Sequence, residues 1–242
     1  MLSTDHRLDH FPRKVPNRFF GLLTRKERWG LAWQGWLLFL LMSILLGCFL
    51  LITVHPFLAP TQRVDANILV VEGWVHDYVI RAAAKEFMTG GYIRVFSTGG
   101  PSTGSGGYTG DADTAASVGA GQLRASGIPS TFVQMVPSHV IGRDRTYYSA
   151  VALKDWLRDR NIGVGSFNIV AEDAHARRTW LLFQKAFGKK VRVGIIAVPN
   201  PDYDAKRWWD SSEGFREVSS EAIAYLYARL FFGPTGEGRI TR

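Results

Sequence analysis

A histidine and an arginine stand three residues apart, at His175 and Arg178. At this spacing both side chains lie on one face of a helix. An imidazole gives or takes a proton near neutral pH, and a guanidinium holds a carboxylate or a phosphate through two parallel hydrogen bonds. The pair therefore predicts proton transfer at His175 and an anion clamp at Arg178. The alternative is a solvated helix face, on which both side chains contact only water.

Further polar residues follow other predicted strands. Glu72 stands directly before Gly73, so we expect its carboxylate to have a clear approach to a ligand and to take part in proton transfer. An ordinary loop carboxylate is the alternative. Arg145 and Thr146 begin a predicted helix, and we expect them to contact the same ligand unless Arg145 pairs with the aspartate before it.

A glycine-rich stretch between residues 97 and 111 joins a predicted strand to a predicted helix. Glycines let backbone N–H groups turn toward a ligand, and a helix N-terminus favours an anion, so Gly99 and Gly100 are candidates for a phosphate cradle. The stretch matches neither the P-loop lysine pattern nor a compact G-x-G-x-x-G. The alternative is a flexible loop in which Asp111 or Asp113 caps the helix.

These candidates need a frame that brings them together, and the sequence predicts one. Short β-branched runs read as strands at 67–71, 92–98, 131–136, 166–170 and 191–198. Helical spacing falls at 78–89, 113–126, 146–160, 174–187 and 216–231. The alternation predicts an α/β fold with a doubly wound, mainly parallel, five-stranded Rossmann-like sheet. Ligands of such sheets bind outside the carboxyl ends of the strands, which is where the candidates fall.

An uncharged apolar run precedes this domain, from Trp36 to Val54. Nineteen residues of helix cover about 28 Å, close to the hydrocarbon thickness of a bilayer. A cleaved signal peptide and a buried hairpin helix are the alternatives. Seven basic residues precede the run and only Arg63 lies in the twenty that follow, which predicts a cytoplasmic N-terminus and an extracytoplasmic domain.

The predicted organisation has five parts. These are a cytoplasmic basic segment at 1–35, a single transmembrane helix at 36–54, a linker at 55–65, an α/β domain at 66–232 and a tail at 233–242. The net charge of +8 divides evenly between the first segment and the rest, which does not indicate nucleic acid as a partner. Cys48, the only cysteine, lies in the apolar run, so the domain has no disulfide or thiol chemistry. The acids near the strand ends are too few for a predicted metal site, and no cofactor is assigned.

Four segments carry a family resemblance: ILVVEGW at 68–74, FSTGG at 96–100, RTYYSA at 145–150 and HARRT at 175–179. Together they resemble the YdcF/ElyC/SanA-like family of bacterial envelope proteins, over about residues 66–231. HARRT is similar to the H-x-x-R-A signature of that family. Thr146 matches the threonine of its S-x-N-T-x-x-N segment, and Asp111 is one of the two acids nearest to the glutamate that follows its Gly-Gly loop.

The resemblance implies a protein of the bacterial inner membrane with a role in building or maintaining the cell envelope, through peptidoglycan or lipid-carried glycan precursors. We therefore expect the domain to bind an anionic, phosphate-bearing or lipid-linked ligand beside the bilayer. A non-catalytic module that binds a nucleotide-like ligand or a partner protein is the second hypothesis, and a structural envelope protein is the third. Turnover separates the first hypothesis from the others.

Overall fold

The computed structural model describes residues 23–25, 29–101, 110–141 and 143–233. Most of the predicted cytoplasmic segment and of the C-terminal tail therefore lies outside the described residues. The chain divides into two compact units, Met1–Leu51 and Ile52–Arg242. The first contains an antiparallel hairpin of two short strands, β1 at Leu23–Arg25 and β2 at Trp29–Leu31.

One long helix, α1, runs from Trp33 to Leu58, beyond the predicted span of 36–54 at both ends. Its most apolar window has a mean hydropathy of 2.9 and is not buried by the rest of the protein. An apolar surface of this size is unfavourable in water and favourable in lipid. Helix α1 is therefore long and apolar enough to cross a membrane.

The second unit alternates strands and helices along the chain. The strands are β3 at Ile68–Glu72, β4 at Arg94–Gly99, β5 at Val133–Pro137, β6 at Ser166–Glu172 and β7 at Arg192–Val198. The helices are α2 at Asp77–Thr89, α3 at Ala115–Ala125, α4 at Arg145–Asp159, α5 at Ala176–Phe187 and α6 at Ser212–Leu230. The predicted α/β fold with one N-terminal apolar helix is confirmed.

All five strands of the domain are parallel, in the spatial order β5-β4-β3-β6-β7. The order runs outward in one direction from β3 through β4 and β5, and in the other from β6 to β7. The topological switch point of the sheet therefore lies between β3 and β6. In doubly wound sheets this crevice is where ligands bind.

The strands carry nearly continuous apolar runs because both sheet faces are covered by helices. Leu69 and Val71 of β3 pack in one buried cluster with α2 and α3. Ile68 and Val70 belong to a second cluster with α4 and α5. Side chains alternate along a strand, so the next residue on the second face is Glu72. The sheet thus directs a carboxylate toward α5, at the switch point.

Candidate functional site

Glu72 ends β3 and is completely buried. One carboxylate oxygen lies 3.2 Å from Nε2 of His175 and accepts a hydrogen bond from the Thr179 hydroxyl at 2.9 Å. The other accepts a hydrogen bond from the indole N–H of Trp74 at 3.3 Å. The expected clear approach of Glu72 to a ligand is therefore not observed. These side chains cover the carboxylate, so it acts on a ligand only through them.

His175 reaches Glu72 because of a tight turn between β6 and α5. Residues Asp173–His175 form a single 3-10 turn, in which Asp173 has a φ of 22°, a strained value for a residue with a side chain. The turn places the imidazole beneath the end of β3 with 4% of its surface exposed. The Trp74 ring packs edge-on against it, with ring centroids 4.9 Å apart.

The turn is itself held by a second group of buried polar contacts. Glu172 accepts a hydrogen bond from the Tyr78 hydroxyl at 2.7 Å, and Asp173 accepts one from the Tyr203 hydroxyl. Burial first, and then the hydrogen bonds to these carboxylates, raise the pKa of both tyrosines, which therefore stay protonated as donors. These contacts fix the backbone that carries His175, and they were not predicted from the sequence.

Arg178 does not present a free guanidinium to the solvent. Its Nε and Nη2 donate to the two carboxylate oxygens of Glu221 on α6, both at 2.8 Å. Glu221 also lies 3.1 Å from Nδ1 of His175. The guanidinium predicted to clamp a ligand anion therefore already binds a carboxylate of the protein itself. That carboxylate belongs to Glu221, which lies in a predicted helix but was not among the candidates.

The charges of this cluster compensate one another. Burial opposes the charged form of His175, but hydrogen bonds to Glu221 and Glu72 outweigh it and raise its pKa to about 9. Burial likewise opposes the charged form of Glu221, yet Arg178 and His175 lower its pKa to about 2. The pKa of Glu72 is also lowered, because its bond to His175 and other polar contacts overcome burial. Two carboxylates therefore face one imidazolium and one guanidinium at neutral pH.

One contact favours the neutral form of His175. Nη2 of Arg178 lies 2.9 Å from Nδ1 of His175. Because a guanidinium can only donate, Nδ1 would have to be unprotonated to accept a hydrogen bond from it. Carboxylates on both sides of the ring favour N–H groups on both nitrogens. Two opposite charges outweigh one like charge at similar distances, and we assign the imidazolium.

A cavity of about 390 Å³ opens above this cluster, and we call it the main cavity. His175, Arg178 and Glu221 form its charged side together with Arg145 and Thr146 at the start of α4. Its apolar side is made by Leu182, Ala224, Tyr227, Ala228 and Phe232. A ligand that fills this space meets charge at one side and hydrocarbon at the other.

Arg145 is the cationic residue of the main cavity whose guanidinium remains available to a ligand. Its side chain is exposed, and no carboxylate of the described residues lies within 4.0 Å of its guanidinium. The alternative that it pairs with Asp144 is not observed. Asp144 has a left-handed backbone with a φ of 60°, and it contributes its charge to the surroundings of Arg178 instead.

A second cavity of about 330 Å³, the side cavity, shares Trp74 and Arg145 with the first. Gly73 and Gly100 line it, together with Ala115 and Gln122 of α3. The two cavities therefore form neighbouring spaces on either side of Trp74 and Arg145.

The glycines serve close packing more than the predicted phosphate cradle. A side chain at Gly73 would meet the carbonyl oxygen of Ala115 at 2.0 Å, and one at Gly99 would meet the Ala115 side chain at 2.7 Å. The N–H of Ala115 donates to Gly100, and Thr114 caps α3 with its hydroxyl. The amides of Ala115 and Ser117 at the start of α3 are thus already bonded within the protein. Residues 102–109 of the glycine-rich stretch lie outside the described residues.

Asp111 is not brought to the other candidates. It begins a 3-10 turn at Asp111–Asp113 and lies 2.8 Å from Nε2 of His139, in a separate cavity lined by β5 and α4. The alternative in which Asp111 or Asp113 caps α3 is wrong, because Thr114 is the capping residue.

No family model matches the chain. Neither a curated protein nor a solved structure matches it. The resemblance to the YdcF/ElyC/SanA-like family therefore stays a prediction. Among the residues that the structure describes, no group of three or more histidine, cysteine, aspartate or glutamate side chains is placed to hold a metal ion.

Proposed function

We propose that this chain is a membrane-anchored protein of the bacterial cell envelope whose α/β domain binds an amphiphilic, phosphate-bearing ligand in the main cavity. The ligand class follows from the charged side and the apolar side of that cavity. A role in peptidoglycan or lipid-linked glycan biogenesis is supported by the family resemblance of the four sequence segments.

The observation that carries the proposal is the exposed Arg145 opposite an apolar wall, with no carboxylate of the described residues within 4.0 Å of its guanidinium. The main cavity is lined by three cationic side chains, Arg145, Arg178 and the protonated His175, and by two carboxylates, Asp144 and Glu221. With Glu72, the buried carboxylate next to His175, the formal charges around the cavity balance. The cation that a ligand can reach is therefore the exposed Arg145, and a single available cation suits a ligand of low negative charge. Leu182, Tyr227 and Phe232 would cover an alkyl or isoprenoid chain attached to it.

The orientation of the protein is part of the same proposal. Helix α1 would cross the inner membrane with the basic N-terminal segment in the cytoplasm, as the seven-to-one asymmetry of basic residues favours. The α/β domain, which begins ten residues after α1, would then work outside the cytoplasm.

Binding can be tested with a long-chain alkyl phosphate and the full-length protein in mild detergent. We expect the alkyl phosphate to bind and a long-chain alkyl ammonium of equal length not to bind. Arg145→Ala should weaken phosphate binding by about 1.5–3 kcal/mol, the value of a hydrogen bond to a charged group, or roughly ten- to a hundredfold. Titration calorimetry measures both.

Arg143→Ala is the matched control. It removes the same charge two residues earlier in the chain, from an exposed side chain that lines neither cavity. Equal losses in the two variants would show that only the net charge matters, and the proposed site would be wrong.

The second candidate function is a non-catalytic module for a nucleotide-like ligand. The side cavity favours it, because Trp74 is 47% exposed between the two spaces and offers a flat ring on which a base could stack. Tighter binding of a nucleotide than of the alkyl phosphate, with loss in Trp74→Ala, would select this function.

A further inference from the structure

The N-terminus of α4 is not capped by a side chain. Asp144 occupies the capping position, but it has a left-handed backbone and its carboxylate forms no capping hydrogen bond. The first turn closes with a hydrogen bond from the N–H of Tyr148 to the Asp144 carbonyl. The N–H groups of Arg145, Thr146 and Tyr147 have no hydrogen-bond partner among the described residues. Amides that point out of a helix end in this way favour an anion.

Two buried hydroxyls on the same face of α4 also lack a partner. Thr146 is 6% exposed and lines the main cavity, whereas Ser149 is 3% exposed and lines the side cavity. Neither hydroxyl forms a hydrogen bond with any residue that the structure describes. Neither oxygen is fully enclosed, so each is open to the cavity that its residue lines. Because a buried hydroxyl is stabilised by a hydrogen bond, both favour a polar group that enters from the cavities.

The start of α4 lies where the two cavities meet. Arg145 lines both of them, and Trp74 stands between them. The two free hydroxyls are divided between the cavities, with Thr146 in the main cavity and Ser149 in the side cavity. An anionic group bound at this helix end can therefore carry one substituent into each cavity.

The charges at the helix end favour an anion with a single negative charge. The exposed guanidinium of Arg145 is the cation that a ligand can reach. Asp144, the preceding residue, adds a carboxylate to the lining of the main cavity and repels further negative charge. A phosphate monoester carries about 1.5–2 negative charges at pH 7. A phosphate diester carries only one, and it is also the form of phosphate that has two substituents.

We propose that the ligand is a lipid phosphodiester whose phosphate binds at the N-terminus of α4. The phosphate accepts hydrogen bonds from the amides of Arg145–Tyr147, from the Thr146 hydroxyl and from the Arg145 guanidinium. Its hydrocarbon substituent lies in the main cavity. Its second substituent is a polyol or a sugar and lies in the side cavity, where Ser149 bonds to a hydroxyl and the exposed face of Trp74 packs against the carbon skeleton. The inference rests on the proposed function, to which it adds the diester and the hydroxyl-bearing head group.

Three amphiphiles of equal chain length test the ligand class in titration calorimetry. Decyl phosphate is a monoester, decyl methyl phosphate is a diester with a small apolar substituent, and decyl phosphoglycerol is a diester with a hydroxyl-bearing one. The full-length protein is kept in a polyoxyethylene detergent, which contains neither phosphate nor sugar. We expect decyl phosphoglycerol to bind the most tightly of the three. Its affinity should exceed that of decyl methyl phosphate by roughly two- to tenfold, the value of one neutral hydrogen bond.

Two substitutions in α4 separate the phosphate site from the head-group site. Thr146→Val removes the hydroxyl and keeps the branched shape, and it should weaken binding of all three amphiphiles by about ten- to a hundredfold, because it removes a hydrogen bond to a charged group. Ser149→Ala should lower the affinity for decyl phosphoglycerol to that for decyl methyl phosphate. Thr89→Val is the matched control, because it makes the same change at an exposed hydroxyl that lines neither cavity, and it should leave all three affinities unchanged.

The comparison of the three amphiphiles needs only the wild-type protein, so it decides the ligand class even where a substitution impairs folding. Equal affinity for the two diesters, or tighter binding of decyl phosphate, would overturn the inference and leave the proposed function intact. Binding that is lost in Arg145→Ala but unchanged in Thr146→Val would overturn the phosphate site at α4 alone.

Two further outcomes would reach beyond the inference. If none of the three amphiphiles binds, the inference and the proposed function are both wrong. If adenosine monophosphate binds more tightly than decyl phosphoglycerol, and loses affinity in Trp74→Ala, the side cavity takes a base. That result would overturn the inference in favour of the second candidate function.

Discussion

Protonation of the buried His175 should make the stability of the domain depend on pH in a defined range. The pKa of the imidazole is raised from 6.5 to about 9 in the folded protein, since bonds to Glu221 and Glu72 outweigh burial. A group with a raised folded pKa contributes its full stability below the unfolded pKa and loses it as pH rises through the folded one. A shift of this size at about 1.4 kcal/mol per unit corresponds to roughly 3 kcal/mol, lost between pH 6.5 and 9.

The measurement is urea-induced unfolding of the full-length protein in mild detergent, followed by tryptophan fluorescence across that pH range. The wild-type free energy of unfolding should fall by about 3 kcal/mol from the lower to the upper limit. His175→Gln keeps an amide that can donate to Glu72 but has no proton to lose, so its free energy of unfolding should be nearly flat over the same range. His139→Gln, a change at an exposed histidine that contacts Asp111, should retain the wild-type slope.

The reasoning is refuted if His175→Gln loses as much stability as the wild type between these pH values. It is also refuted if the wild type becomes more stable as pH rises, because this would mean that His175 folds as a neutral imidazole. Glu221 acts in a different range. Its pKa is lowered to about 2, so its contribution is lost only as pH falls below 4.5, and the two effects do not overlap.

Two further predictions concern packing and topology. Gly119→Ala would place a methyl group 2.5 Å from Cα of Gly73 and should destabilise the domain by about 1–3 kcal/mol in urea unfolding. Gly121→Ala in the same helix meets nothing within 4 Å and should stabilise the domain by roughly 0.5–1 kcal/mol. Equal effects would contradict the close contact between α3 and the residue that follows β3. A reporter enzyme that works only outside the cytoplasm, fused after Arg242, should be active, and activity of a cytoplasmic reporter at the same position would reverse the proposed orientation.

The frame of the domain was predictable because its strands are short, β-branched and flanked by helical spacing. Each predicted strand overlaps an observed one, and the ends differ by at most two residues. The end of β3 shows why they differ. Glu72 is polar and was placed after the strand, yet its backbone pairs with Thr98 of β4 and its side chain is buried by residues from α5. Hydrophobic pattern marks a strand by its apolar residues and does not detect a polar residue that tertiary contacts cover.

The pairing within the site was not predictable, since it depends on how α6 packs against α5. Glu221 is 46 residues from His175 and 43 from Arg178. Its position in the predicted helix carried no sign that it would face inward, because an acidic residue on a helix is usually solvated. The sequence therefore indicated Arg178 as an anion clamp but not the Glu221 carboxylate that it binds. Arg145 shows the opposite case. The neighbouring Asp144 suggested an ion pair, but Asp144 has a left-handed backbone and the two side chains do not pair.

The state of His175 bears on whether the site is catalytic. A general base must be deprotonated at the working pH, and a pKa of about 9 leaves most of the imidazole protonated near neutrality. A general acid must release its proton readily, but both ring nitrogens face carboxylates that favour the charged form. The geometry is thus better suited to holding a fixed positive charge under the cavity than to moving a proton.

Ligand binding that displaces Glu221 from His175 would remove one of the two carboxylates and lower the imidazole pKa toward the range of an acid catalyst. Catalysis would then require movement of α6. Turnover of a phosphate-bearing ligand would accordingly show that Glu221 is displaced from His175, whereas ligand binding by a non-catalytic module would show no turnover.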